Sequence, residues 1–157
     1  SIEKDNRAKA VVLGEAVIKN YSKSDFAFLA SLRLAKYQMT LDKPDLAMAA
    51  LEKGTSVANT DNKRELIHIR IAQLFLSQGK VKEASAKLKT FKPVYFPASY
   101  AEIQGDIALA NGQRDEAVTF YQSALKLLAA TAGSRTLIEL KLSEAGGIYD
   151  STQSEIR

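Results

Sequence analysis

The sequence predicts an all-α fold, a stack of antiparallel helix hairpins with about eight helices, and three observations carry that expectation. The alphabet is that of helices: Ala, Leu, Lys, Glu and Gln dominate, and only 8 Gly and 3 Pro interrupt 157 residues. Apolar residues recur at the helical period almost throughout. Two small-residue positions also repeat in register, Ala35, Ala72 and Gly105 in one set and Ala47, Ala84 and Ala117 in the other, each spaced by 37 and then 33 residues. Two antiparallel helices approach closely only where their crossing lacks bulk, and a large residue follows each of the second set: Leu51, Leu88 and Tyr121.

The elements follow in order. Asp5 to Asn20 carries an amphipathic stripe of Ala8, Val11, Val12 and Ile18, and Tyr21 to Ser24 breaks it, with Ser24 a candidate N-cap. Asp25 to Leu41 is unusually apolar, with Phe26, Phe28, Leu29, Leu32 and Leu34. Pro44 opens a helix to Val57. Asn62 and Glu65 are spaced as a capping box for a helix to Gln78, which Gly79 ends. Lys82 to Phe91 is predicted helical, followed by the rigid, aromatic loop Lys92 to Pro97. Ser99 and Glu102 form a second capping-box pattern for a helix to Asn111, which Gly112 ends. Helices at Asp115 to Ala130 and Arg135 to Ala145 precede Gly146-Gly147 and a polar tail.

With 46% hydrophobic and 25% charged residues the chain is in the range of folded domains, and its length calls for one. The net charge of +4 is modest, and the densest basic run, Lys80, Lys82, Lys87 and Lys89, is broken by Glu83 and lacks interleaved aromatics. It is a solvated helix face, and no nucleic-acid partner is expected. Absence of cysteine excludes disulfides and thiolate metal sites but decides no compartment.

The repeating residues resemble the tetratricopeptide repeat. The third unit is the best copy, with Gly105, the hairpin Gly112, Ala117, Tyr121 and Ala124. The second keeps Ala72, Phe75, Gly79, Ala84 and Leu88 but has His68 in the first-helix slot for Trp or Leu. The first lacks a hairpin glycine and has Gly54 where Ala is usual. The implied organisation is one repeat domain over residues 1–157: an N-terminal helix at 1–23, repeat units at 24–59, 62–92 and 97–130, a capping helix at 135–147 and a tail at 148–157.

More narrowly, residues 20–141 resemble the YfgM-type family of bacterial inner-membrane proteins. Phe28 to Ala35, the run Lys89-Thr90-Phe91-Lys92 before an apolar linker, and Glu102 to Asp106 leading a well-kept last repeat carry the likeness. The resemblance implies a short cytoplasmic tail and one membrane span before a periplasmic repeat domain. It also implies association with the Sec translocon and a link between emerging proteins and periplasmic chaperones. The chain opens at Ser1 without an initiator Met, so the span is expected upstream, and membrane contact only through it.

Catalytic chemistry is not expected. His68 is the only histidine, flanked by Ile67 and Ile69 on a predicted helix, where a polar-tipped core residue fits better than a general base. Gly79 and Gly112 are single glycines, not a phosphate-cradling loop. Glu102 and Asp106, four apart, provide too few oxygens to hold Ca²⁺ or Mg²⁺ and form an acidic helix face. Met39, Tyr95 and Phe96 plug gaps between stacked helices more readily than they make contacts. No cofactor, metal or active site is predicted.

The function expected is therefore non-enzymatic protein binding, with translocon subunits, periplasmic chaperones or client segments as partners. The alternative is a generic repeat scaffold or a structural docking subunit of another envelope or cytoplasmic complex. The repeat register turns Leu29, Leu32, Lys36 and Met39 inward, then Leu66, Ile69, Gln73 and Leu76, then Glu102, Asp106 and Leu109. These residues are the candidate groove, with Lys36, Glu102 and Asp106 orienting a bound segment. The face is more apolar than a solvated groove, so it either receives an apolar segment or lies under the N-terminal helix.

Overall fold

A computed structural model of the chain describes residues 2–148, with side chains from residue 5 onward. Among the described residues there are eight helices and no strand. The chain divides into two compact units between Leu74 and Phe75. The expected tail lies, apart from Ile148, outside the described residues.

The first unit holds α1 (Ile2–Asn20), α2 (Asp25–Thr40), α3 (Pro44–Val57) and the part of α4 (Asp61–Ser77) up to Leu74. Packing centres on α2, which contacts both α1 and α3. It buries Ala27, Phe28, Ser31, Leu34, Ala35 and Gln38, and α3 buries Ala47, Ala50, Leu51 and Gly54. Each fully buried Phe or Leu among these contributes about 1.5–3 kcal/mol of hydrophobic stabilisation. Gly54, the departure from the repeat pattern, has a steric cause: a β-carbon there would stand 2.7 Å from Ile67 Cδ1 and overlap Ser31 Oγ. The missing hairpin glycine is replaced by Asp42, which takes a left-handed conformation at φ 54°. Asp tolerates that region better than most side chains. Lys63 on α4 pairs with Asp25 and sits 5.8 Å from the centroid of the Phe28 ring, fixing the start of α4 to α2.

The second unit holds α5 (Val81–Leu88), α6 (Pro97–Ala110), α7 (Arg114–Leu127) and α8 (Arg135–Glu144). α6 packs on α5 and α7, and α7 packs on α8. Its core joins Ala101, Ala108, Ala117, Tyr121, Leu125, Ile138 and Leu142. Gly79 and Gly112 adopt φ of 70° and 77°, the left-handed turns that end α4 and α6. All six repeated small positions are buried in their units.

Several helix ends differ from expectation for local reasons. α5 stops at Leu88, short of Phe91, whose ring leaves the helix to meet Tyr100 edge-on at 5.5 Å. Neither capping box forms. Pro97, with its preset φ, starts α6 two residues before Ser99. α4 starts at Asp61, so Asn62 lies inside it and its side-chain oxygen accepts from the Lys63 N–H at 2.8 Å. Ser24 is the N-cap of α2, yet its hydroxyl donates to the Tyr21 carbonyl at 2.7 Å instead of accepting a helix N–H.

Candidate protein-binding site

α2 is apolar on more than one side, and only one side is used against α3. The other carries Phe26, Leu29, Ala30 and Arg33, spaced so that they form one stripe along the helix. Val17 of α1 and Tyr21, the first residue past its end, face this stripe, and the six residues line a depression of about 560 Å³. α1 therefore frames Leu29 without covering it, and Leu29 remains 50% exposed, Tyr21 60% and Phe26 70%.

The other candidate residues of the first unit have different surroundings. Lys36 is exposed, while Leu32, Met39, Leu66 and Gln73 are half-buried. Gln73 accepts a hydrogen bond from Arg70 at 2.9 Å. Ile69 is 1% exposed and belongs to the interior, contrary to its place in the expected groove. The reason lies in α4, which buries Glu65, Ile69 and Ala72 on one arc and Ile67, Ile71 and Leu74 on the opposite one. A helix covered on both sides has no open apolar face.

In the second unit Leu76 is half-buried and Leu109 packs against the α6–α7–α8 core. Glu102 and Asp106 do come together, but not at an open edge. Lys141 of α8 donates to Glu102 Oε1 and to Asp106 Oδ2, both at 2.7 Å, and the Tyr121 hydroxyl donates to Asp106 Oδ1 at 2.8 Å. Burial works against the Lys141 charge, yet the hydrogen bonds to Asp106 and Glu102 outweigh it and hold the ammonium above its ordinary pKa. Burial, then the bond to Asp106, pushes the Tyr121 phenol far above its usual range. The acidic pair is thus satisfied by the chain's own last helix and is unavailable to orient a partner.

The register pointed to Leu29 and Lys36 but missed Val17, Tyr21, Phe26 and Arg33. The spacing of Phe26, Leu29 and Arg33 marks a second apolar stripe and was a legible signal. Lys141 gave none, since it is 35 and 39 residues from its two partners.

Left-handed hairpin closures and paired small residues at helix crossings define the tetratricopeptide class of repeat proteins, in which stacked hairpins present surfaces to other proteins. The chain belongs to the tetratricopeptide repeat-like domain family, matched over residues 1–147, and within it to the YfgM-type group, and it is not an enzyme. It is 30% identical over 140 residues to the ancillary SecYEG translocon subunit of Aggregatibacter actinomycetemcomitans, covering 89% of this chain and 67% of that one. The corresponding protein of Escherichia coli K12 is 27% identical over 108 residues, or 67% of this chain and 51% of its own. A Buchnera aphidicola relative of the same name, from the Acyrthosiphon pisum symbiont, is 25% identical over 146 residues, 91% of this chain and 74% of its own. No solved structure matches the chain.

Proposed function

We propose that the chain is the protein-binding domain of an ancillary subunit of the SecYEG translocon, held on the periplasmic side of the inner membrane. There it passes translocated segments toward periplasmic chaperones. The likeness to the Aggregatibacter subunit across 89% of the chain carries this reading. The structure supports the binding half, because Leu29 and Phe26 leave apolar surface in solvent that no neighbouring helix of their unit covers. Leu32, Lys36 and Met39 extend that surface along α2. No helix among the described residues is long and apolar enough to cross a membrane.

The test is retention of the full-length protein by purified SecYEG in detergent or nanodiscs, with photocrosslinkers at positions 29 and 36. Stoichiometric retention with crosslinks to a SecYEG subunit is the expected result. Failure to be retained overturns the translocon reading.

A further inference from the structure

The α1–α2 depression has a charge pattern that specifies its occupant. Residues 11–40 contain two carboxylates, Glu15 and Asp25, and four cations, Lys19, Lys23, Arg33 and Lys36. Both carboxylates are committed elsewhere, Glu15 to Lys53 of α3 at 3.6 Å and Asp25 to Lys63 of α4. None of the four cations has an ion pair among the described residues. Arg33 lines the depression, and Lys36 extends the same stripe of α2 by a further turn. Lys23 sits exposed in the turn between the two helices.

Apolar floor and cationic border therefore coincide. The stripe from Phe26 to Lys36 is about 15 Å long at helical rise, the length of roughly three turns of a docked helix. We propose that this depression receives an amphipathic helix of a partner protein whose apolar stripe is flanked by Asp or Glu. Its large apolar side chains fill the space between Val17, Tyr21 and Leu29, and its carboxylates meet Arg33 and Lys36. Apolar burial supplies the affinity and the charges supply partner choice. An anionic bilayer shares the charge preference, but a flat surface leaves a concave floor of this volume unfilled. The inference rests on the protein-binding reading above and narrows it to one ligand chemistry.

The experiment uses the whole chain and two synthetic helical peptides of about 15 residues with the same Leu and Phe stripe, one flanked by Glu and one by Lys. Fluorescence anisotropy at low salt is expected to show the Glu peptide bound about tenfold more tightly than the Lys peptide, a preference that falls with salt. The double reversal Arg33→Glu with Lys36→Glu is expected to exchange that order, and Phe26→Ser with Leu29→Ser to lose both peptides. All four side chains are exposed, so unchanged circular dichroism melts accompany these effects. Should a melt shift, Arg33→Gln with Lys36→Gln, which removes the charges but keeps polar side chains, must still abolish the preference. Equal binding of both peptides, binding of neither, or binding only to vesicles of phosphatidylglycerol and phosphatidylcholine overturns the proposal. A chain retained by SecYEG that binds no Glu peptide loses this inference alone. A chain that binds the Glu peptide but is not retained loses only the translocon assignment.

Discussion

The ring of Tyr121 occupies the space that a β-carbon at position 105 would need: built on Gly105, that carbon would stand 2.6 Å from Tyr121 Cδ1. Two effects of opposite sign follow for Gly105→Ala. Helix propensity favours Ala by about 1 kcal/mol, while overpacking of a filled crossing costs about 1–3 kcal/mol. Tyr121 is fully buried and its hydroxyl is tied to Asp106, so the ring has no room to retreat. Overpacking wins, and a net loss of up to about 2 kcal/mol is expected in a urea titration. A stabilised variant would show that the ring yields.

Lys141→Met leaves two half-buried carboxylates four residues apart without their shared ammonium. Their repulsion and lost hydrogen bonds outweigh the retained apolar stem, and a destabilisation of about 1–3 kcal/mol is expected. Partial solvent access at all three side chains keeps the figure below that of a fully buried pair. The double variant with Asp106→Asn should recover part of the loss, which a double-mutant cycle measures directly.

Alkali probes the same cluster. Lys141 and Tyr121 both hold their protons more tightly in the folded chain than in the unfolded one. Their contribution is fully present below the unfolded pKa values, near about 10 for both types, and is lost as pH rises through the folded values. Melting temperature should accordingly fall as pH is raised above about 10, and Lys141→Met should weaken that fall. A melting temperature that rises over this range would contradict the assignment.

Ile69 and Leu29 were expected on one face, and paired truncations separate them. Ile69→Ala removes a side chain that is 1% exposed and should cost about 2–4 kcal/mol. Leu29→Ala should change stability by less than about 0.5 kcal/mol, since half of that residue is already in water. Equal costs in chemical denaturation would place both residues in one environment.

Asp42 offers a stabilising substitution. Its backbone is left-handed, a conformation that glycine adopts without a β-carbon penalty. Asp42→Gly should raise stability by about 0.5–1 kcal/mol, and Gly79→Ala should lower it by about 1 kcal/mol. Thermal melts of the pair test both signs.

How much of this was legible depended on the range of the determining contacts. Helix existence and the hairpin turns follow from local pattern, so Gly79 and Gly112 could be placed from sequence. The small crossings were legible as well, because Ala47, Ala84 and Ala117 repeat. Glu102 was misassigned twice, as a capping-box acid and as a groove edge. The residue that captures it, Lys141, lies on a helix outside the repeat and has no counterpart in the other units. Ile69 was misassigned because its helix is covered on two arcs, and a repeat register names only one inward side. The turn before Pro44 was legible too, but the left-handed backbone of Asp42 was not, since no glycine marks it.

Lys141 also imposes an order in time. Glu102 and Asp106 are synthesised first, and the ammonium that reconciles them emerges only 35 to 39 residues later. A chain still being made thus carries two unreconciled carboxylates, beside core sites that Ile138 and Leu142 have yet to fill. Repeat arrays in general can begin folding at any hairpin. Here the second unit is complete only after its final helix has been made, so a chain released short of Arg135 would be an open half-core, exposed to proteolysis.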